Sequence, residues 1–341
     1  MGFRIRLEPG GKTFDSGEDE TVLDAALRSG VLLPYGCRDG LCGACRGRVL
    51  SGEFDHGGAA EQALSEAERA AGLALFCCTR ARSDLCIEGR EATSAAVIPV
   101  RTVPARVESL SQVAPDVMVL DLKLPGSEAF QYLPGQYVEV LLAGGKRRAF
   151  SLATAPGASG LQLHIRRVPG GRFTGHVFDG LKARDLLRLN GPHGSFFLRE
   201  DSDRPMVLVA GGTGFAPIQA IIEYVLQRGL RRPMSLYWGG RRRSDLYFDA
   251  LAHGWAATHS HLRYVPVLSE PDAGDEWCGR TGLVHAAVMQ DFPDLSGYQV
   301  YVCGSPAMVT AARRDFLGGC ALPETEFIAD SFEFANDTTG V

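Results

Sequence analysis

The chain has 341 residues, 45% of them hydrophobic and 22% charged, with a formal net charge of −5. That length suits two or three domains with sizeable cores, and the mildly acidic balance gives no footing for nucleic acid or a membrane surface. No stretch approaches the roughly eighteen consecutive apolar residues of a membrane span. The amino-terminal MGFRIRLEPGGK lacks the apolar core of a signal peptide. Nine cysteines without such a signal point to a reducing, cytoplasmic setting in which some serve as metal ligands.

In chain order, residues 3–7 (FRIRL) alternate as a strand, Pro9-Gly10-Gly11 turns, and Lys12–Phe14 returns antiparallel. Thr21 is placed as a helix N-cap with Asp24 three residues on, and Leu23, Ala26 and Leu27 form the apolar stripe. Gly30 closes that helix. Next comes GCRDGLCGACR, which sets Cys37, Cys42 and Cys45 in a C-x4-C-x2-C run. This is the plant-type spacing for a [2Fe–2S] cluster, which needs four thiolates. Gly36, Gly40 and Gly43 supply the backbone freedom that a loop wrapped tightly around such a cluster requires. A structural zinc site is the competing reading, but zinc sites usually bring paired C-x2-C units.

Gly47–Leu50 reads as a short strand and Ser65-x-x-Glu68 as a capping box opening a small helix. That helix delivers the chain to LALFCC, where Cys77 and Cys78 compete as fourth ligand and spacing alone does not choose. The one left over, together with Cys86, Cys278, Cys303 and Cys320, makes five cysteines expected mostly as small buried hydrophobes. Glu91 to Pro104 is a proline-punctuated linker.

Short strands at Ala105–Leu110, Val117–Leu124, Gln136–Leu142 and Leu161–Arg166, separated by Pro/Gly turns, predict a barrel or sandwich. Within it, Arg148-Ala149-Phe150-Ser151 is expected at the start of a strand, followed by GGRFT at 170–174 and GPHGSF at 191–196. An arginine can hold phosphate bidentately, an aromatic can stack on a flavin ring, and a hydroxyl can reach the flavin nitrogen that takes hydride. Thr174, at the mouth of a helix, would face a pyrophosphate. The pattern then changes. Pro205–Ala210 is a continuous apolar strand, GGTG follows, and Pro217 lies in the first turn of a helix ending near Gln227. Ser235–Trp238 and Gln299–Cys303 repeat the strand theme, and CGSPAM (303–308) is a second strand-to-helix turn. Alternating strands and helices predict a parallel, doubly wound sheet whose strand ends form a ligand crevice. Arg241, just beyond one strand, could meet ribose or phosphate.

Taken in order, RAFS, GGTGFAP and CGSPAM over residues 101–335 resemble the ferredoxin–NADP reductase superfamily. With the amino-terminal segment, the chain resembles the one-component reductases of bacterial aromatic-ring oxygenases and phenol hydroxylases, and especially the CDP-6-deoxy-delta-3,4-glucoseen reductase group. The stretches ETVLDAAL, LPYGCRDGLCGAC, FDHG, ALFCC and FIADSFEF carry that likeness. The resemblance implies a β-grasp ferredoxin domain at 1–93, an antiparallel β-barrel FAD domain at 101–200 and a doubly wound α/β NAD(P)H domain at 204–335. It matches Cys77, followed by Ser83-Asp84, to the fourth ligand position beside Cys37, Cys42 and Cys45.

It also implies that Arg148, Ala149, Phe150 and Ser151 meet the flavin, joined by His164, Ile165 and Arg166 on a neighbouring strand and by Gly171, Arg172, Phe173 and Thr174 at its pyrophosphate. Gly212, Thr213, Gly214, Arg241, Cys303, Gly304, Ser305, Pro306 and Met308 would frame the nicotinamide nucleotide. Phe332 would cover the flavin face until nicotinamide displaces it, and Ser151, Cys303 and Phe332 would stand nearest the chemistry. Two departures stand out: Phe150 where tyrosine is commoner, and Ser305 where proline is usual. The implied function is electron transfer from NAD(P)H, with NADH preferred, through FAD and the cluster to a partner oxygenase component. The alternatives are a sugar-nucleotide dehydratase as partner, or a redox-sensing protein on the same scaffold.

Overall fold

The computed structural model describes residues 2–89, 91, 98–126 and 130–332. The chain divides into two compact units, one formed by Met1–Val97 with Gly194–Arg199 and the other by Ile98–His193 with Glu200–Val341. Residues 92–97 of the expected linker and the last two residues of FIADSFEF lie outside the described residues.

In the first unit, strand β1 (Phe3–Glu8) pairs antiparallel with β2 (Lys12–Ser16), Ile5 opposite Phe14, and both side chains are buried. Helix α1 (Val22–Arg28) starts where expected, with the Thr21 hydroxyl accepting from the Asp24 amide. Gly30, at φ 75°, ends it in a Schellman turn: its N–H bonds Leu27 O and the Val31 N–H bonds Ala26 O. The unit continues through β3 (Arg46–Ser51), β4 (Phe54–Asp55), the capping-box helix α2 (Glu66–Ala70), β5 (Leu73–Leu75), β6 (Arg80–Ala81) and β7 (Leu85–Glu88). The main sheet runs β2-β1-β7-β3-β5, and its apolar side chains pack with α1 into one core that includes Cys45 and Cys77.

The second unit begins with a six-stranded antiparallel sheet: β8 (Arg101–Ala114), β9 (Val117–Lys123), β10 (Tyr137–Leu141), β11 (Arg147–Ser151), β12 (Leu161–Arg166) and β13 (Leu186–His193). Its order is β11-β10-β13-β8-β9-β12, and a Leu152–Leu163 bridge beside the Ala153 N–H to Gln162 O bond brings its two ends together as a barrel. Alternate residues such as Leu120, Val138, Leu163 and Leu189 fill the interior. The RAFS segment lies where expected, starting one residue into the five-residue β11, which follows the turn at Gly144 and Gly145. Strand β13 was not legible beforehand, since its Asn-Gly-Pro-His sequence looks like a turn. Helix α3 (Arg172–Asp179) leaves the loop after β12.

The chain then enters an all-parallel sheet. Its elements are β14 (Met206–Gly211), α4 (Phe215–Gln227), β15 (Met234–Gly240), α5 (Asp249–Thr258), β16 (Leu262–Leu268), β17 (Arg280–Thr281), α6 (Val284–Asp291), β18 (Gln299–Gly304), α7 (Pro306–Gly319) and β19 (Phe327–Ser331). The order β17-β16-β15-β14-β18-β19 reverses direction between β14 and β18. Val207, Val209, Val300 and Val302 face α6 and α7. On the other face Phe215 of α4 stacks on Trp238 at 3.9 Å. Burial on both faces explains why PMVLVA reads as unbroken apolar sequence.

Leu163 is fully enclosed in the barrel core. Leu163→Ala is expected to destabilise the second unit by about 2–5 kcal/mol in urea unfolding; a loss near zero would contradict this barrel.

Candidate functional site

In the first unit the cysteine loop is folded by three residues with left-handed backbone, Arg38, Gly40 and Gly43. Its amides turn toward sulfur: Cys37 N–H donates to Cys42 Sγ and Asp39 N–H to Cys37 Sγ, both at 3.4 Å. The Phe76 amide bonds the Cys45 carbonyl at 3.0 Å, which ties the loop to the segment bearing Cys77. Amides at the start of α1 bond the carbonyls on either side of the two adjacent cysteines, Leu23 N–H to Phe76 O and Val22 N–H to Thr79 O. Arg38 pairs with Asp24 at 2.5 Å and Arg46 with Glu68 at 2.6 Å, bracing both ends of the loop.

Hydrogen bonding to Cys42 draws Cys37 down to about 6, and hydrogen bonding to Cys45 pushes Cys77 up. Cys45 and Cys77 are buried, while Cys37 and Cys42 are half-buried. Among the described residues no three His, Cys, Asp or Glu side chains are set to hold one metal ion. A two-iron cluster takes two thiolates per iron, and the three cysteines of the loop, tied through the Phe76 amide to the segment bearing Cys77, supply four.

Residues 194–199 belong to this unit. The Ser195 hydroxyl accepts from the Tyr35 amide at 2.8 Å and donates to the Tyr35 carbonyl at 2.9 Å, clipping the residue two before Cys37. Sequence reasoning missed this contact because 160 residues separate the partners.

In the second unit, Phe150 lies half-buried with its ring centroid 5.5 Å from that of Phe173. Arg148 is half-buried, Ala149 exposed and Ser151 buried. The Thr174 hydroxyl is taken by its own loop, accepting from the Val168 amide at 3.1 Å and lying 3.3 Å from Gly171 O. What α3 offers a ligand is therefore its first backbone amides, which no helical carbonyl uses.

The two strand-to-helix turns meet at the sheet's reversal. A Cβ on Gly214 would stand 2.1 Å from Cys303 O, and one on Gly211 would stand 2.6 Å from Met308 Sδ. Gly212 takes φ 52°, with its carbonyl accepting from Trp238 Nε1 at 3.0 Å. Ser305 caps α7 through the Met308 amide, and Pro306 opens that helix. Cys303 is completely enclosed, and burial holds its thiol well above the ordinary range. Its backbone, not its sulfur, meets the opposite turn. The Phe332 N–H bonds Gly304 O at 2.8 Å, which sets that aromatic beside the CGS turn.

Three predicted site residues are engaged by protein. Arg166 pairs with Asp116 and Asp245, each at 3.4 Å, and lies against Gly212. Arg241 is exposed, and its amide donates to Asp245 Oδ2 at 2.8 Å. His164 has both ring nitrogens occupied, by the Tyr247 hydroxyl and Gln162 Oε1, each at 3.0 Å. Gln162 also takes a bond from Gln219 of α4, so His164 links the barrel to the parallel-sheet domain. Ile165, its neighbour on β12, is fully buried in the barrel core.

Three family models match in order: a 2Fe-2S iron-sulfur cluster binding domain over residues 5–82, an oxidoreductase FAD-binding domain over 104–198 and an oxidoreductase NAD-binding domain over 208–314. The CDP-6-deoxy-L-threo-D-glycero-4-hexulose-3-dehydrase reductase of Yersinia pseudotuberculosis is 41% identical, covering 97% of this chain and 99% of that protein. The reductase component of phenol 2-monooxygenase from Pseudomonas sp. strain CF600 is 36% identical, covering 100% of this chain and 97% of its own. The crystal structure of an Amycolatopsis cytochrome P450 reductase superposes with a TM-score of 0.76 at 38% identity, over 97% of this chain and 98% of that one. No helix among the described residues is long and apolar enough to cross a membrane.

Burial brings His164 down to about 3, against about 6.5 for a free histidine. As pH falls below 6.5 the unfolded chain takes up a proton here that the folded chain refuses, so stability is lost on acidification. Between pH 7 and 5 the urea midpoint of the wild type should fall further than that of His164→Gln; equal falls would contradict a neutral, enclosed His164.

Proposed function

The chain belongs to the family of iron–sulfur flavoprotein reductases that join a 2Fe-2S domain to FAD-binding and NAD-binding oxidoreductase domains, and from that premise we propose that it is an NADH-dependent, cytoplasmic reductase component serving an oxygenase. Electrons pass in such a protein from NAD(P)H through FAD to the [2Fe–2S] cluster. The cofactors supply the redox chemistry, accepting a hydride pair and releasing electrons singly, while the protein supplies position and electrostatics.

Cys37 and Cys42 would hold one iron and Cys45 and Cys77 the other. The observation that carries this is the fold of the cysteine loop, whose amides point at the Cys37 and Cys42 sulfurs and whose Cys45 carbonyl is bonded by the Phe76 amide beside Cys77. A zinc site would gather its ligands round a single ion. Amides of the loop that already point at Cys37 and Cys42 would stabilise sulfur charge.

Arg148 would hold flavin phosphate, Phe150 and Ala149 would lie along the ring, and Ser151 would present its hydroxyl to the reactive nitrogen. The amides of Arg172, Phe173 and Thr174 following Gly171 would receive pyrophosphate. His164 and Arg166 would act through position, fixing β12 against the turn at Gly212, with Ile165 packing the strand between them. Gly212, Thr213 and Gly214 on one side and Gly304, Ser305, Pro306 and Met308 on the other would frame the nicotinamide nucleotide, with Arg241 at its outer end. The backbone of Cys303 would form the crevice floor, and Phe332 would shield the flavin until nicotinamide arrives. No side-chain acid or base is needed for hydride transfer.

A second reading, a sugar-nucleotide dehydratase as acceptor, is favoured by the 41% identity to the dehydrase reductase. Reconstitution with a purified component of each kind separates the two. In stopped-flow reduction, NADH should bleach the flavin faster than NADPH; equal rates or faster NADPH would overturn the preference. Cys77→Ala should lose iron and NADH-driven cytochrome c reduction but keep FAD; full cytochrome c activity would contradict the ligand set and the route. A redox sensor, by contrast, would show no rapid cytochrome c reduction in the wild type either. Gly214→Ala should lower kcat/KM for NADH by about 10²-fold through displacement of the facing turn, with iron and FAD content unchanged; wild-type kcat/KM would show that this contact does not set the crevice.

A further inference from the structure

Cys78 has no part in the reading above, yet its placement is specific. Its Sγ lies 3.7 Å from that of Cys77, within reach of a sulfur hydrogen bond. The backbone fixes it there. Cys78 and Thr79 amides both bond the Leu75 carbonyl, at 2.8 and 3.0 Å, and the Thr79 hydroxyl joins them at 2.9 Å. This tight turn sets the direction of both adjacent cysteine side chains.

The cluster loop closes the other side. Gly40, at φ 75°, comes so near that a Cβ on it would stand 2.5 Å from Cys78 Sγ. At Gly57 a Cβ would stand 2.4 Å from the Cys78 carbonyl oxygen. The sulfur fills the space that any side chain at position 40 would need, so the glycine of the cysteine run and the fifth thiol are fitted to each other.

The direction of the sulfur contact follows from the chemistry. A thiolate bound to iron has no proton to give, whereas an unligated cysteine keeps its proton at neutral pH. Cys78 must then be the donor and Cys77 the acceptor. Reduction adds negative charge to the iron–sulfide core and its thiolates, and a donor aimed at a ligand sulfur favours the more negative state. We propose that Cys78 is a positioning residue that donates an S–H···S hydrogen bond to Cys77 and thereby raises the reduction potential of the cluster. The thiol is a weak donor, so its effect is an adjustment of potential and not a condition for cluster binding. The inference rests on Cys77 being the fourth ligand.

The test uses the full chain with its cofactors, as Cys78→Ala and Cys78→Ser. Iron content is measured first, then the midpoint potential by mediated titration followed through the electron paramagnetic resonance of the reduced cluster. Cys78→Ala should keep its iron and lower the equilibrium constant for one-electron reduction by about three- to tenfold, tenfold being about 59 mV. Cys78→Ser, which restores a donor, should return toward the wild-type value. An iron-replete Cys78→Ala with wild-type potential would overturn the proposal while leaving the ligand set intact. Equal lowering in both variants would also overturn it, since packing and not donation would then be responsible. Loss of iron in Cys78→Ala with retention in Cys77→Ala would overturn both the proposal and the assignment of Cys77.

Discussion

At the reversal of the parallel sheet, the backbone of Gly214 lies directly on the backbone of Cys303 and Gly304, with no room for a single extra carbon. Much of the second unit is arranged around that contact. Adjacent parallel strands β14 and β18 bring the two turns together, and α4 and α7 leave them in helices whose first amides are unpaired by helix geometry. Met308 covers Gly211 and Gly304, Trp238 fixes the Gly212 carbonyl, and β19 brings Phe332 onto Gly304. A crevice lined by backbone suits a nucleotide, whose phosphates and amide ask for N–H and C=O groups more than for reactive side chains.

The barrel is joined to this crevice by polar side chains. His164, Tyr247, Gln162 and Gln219 form a chain of bonds from β12 to α4, and Arg166 bridges Asp116 of the barrel and Asp245 of the sheet domain. Burial keeps His164 neutral and raises Tyr247. The neutral part of this network holds geometry without a variable charge. In the first unit, the same economy appears as amides turned toward sulfur in a loop held by Arg38, Gly40 and Gly43.

Much of this was legible in sequence because the determinants are local. The cysteine spacing, the Thr21 cap, the Ser65–Glu68 box, the apolar run before GGTG and Pro306 at a helix start each act within a few residues. What escaped was set by distant partners. Strand β13 hides inside a turn-like sequence and is set by pairing with β10 and β8. The clip between Ser195 and Tyr35 and the occupation of His164 follow from packing that no short window contains. Choosing Cys77 over Cys78 needed the family likeness, since both sulfurs sit on one turn.

The most direct measurement is an anaerobic titration of the purified protein with NADH and then dithionite, following flavin absorbance and the paramagnetic signal of the reduced cluster together. A route from nicotinamide through flavin to iron predicts uptake of about three electrons per chain, the flavin's pair and the cluster's one, with both signals developing. Saturation at about two electrons with no cluster signal, or no flavin bleaching by NADH, would contradict it.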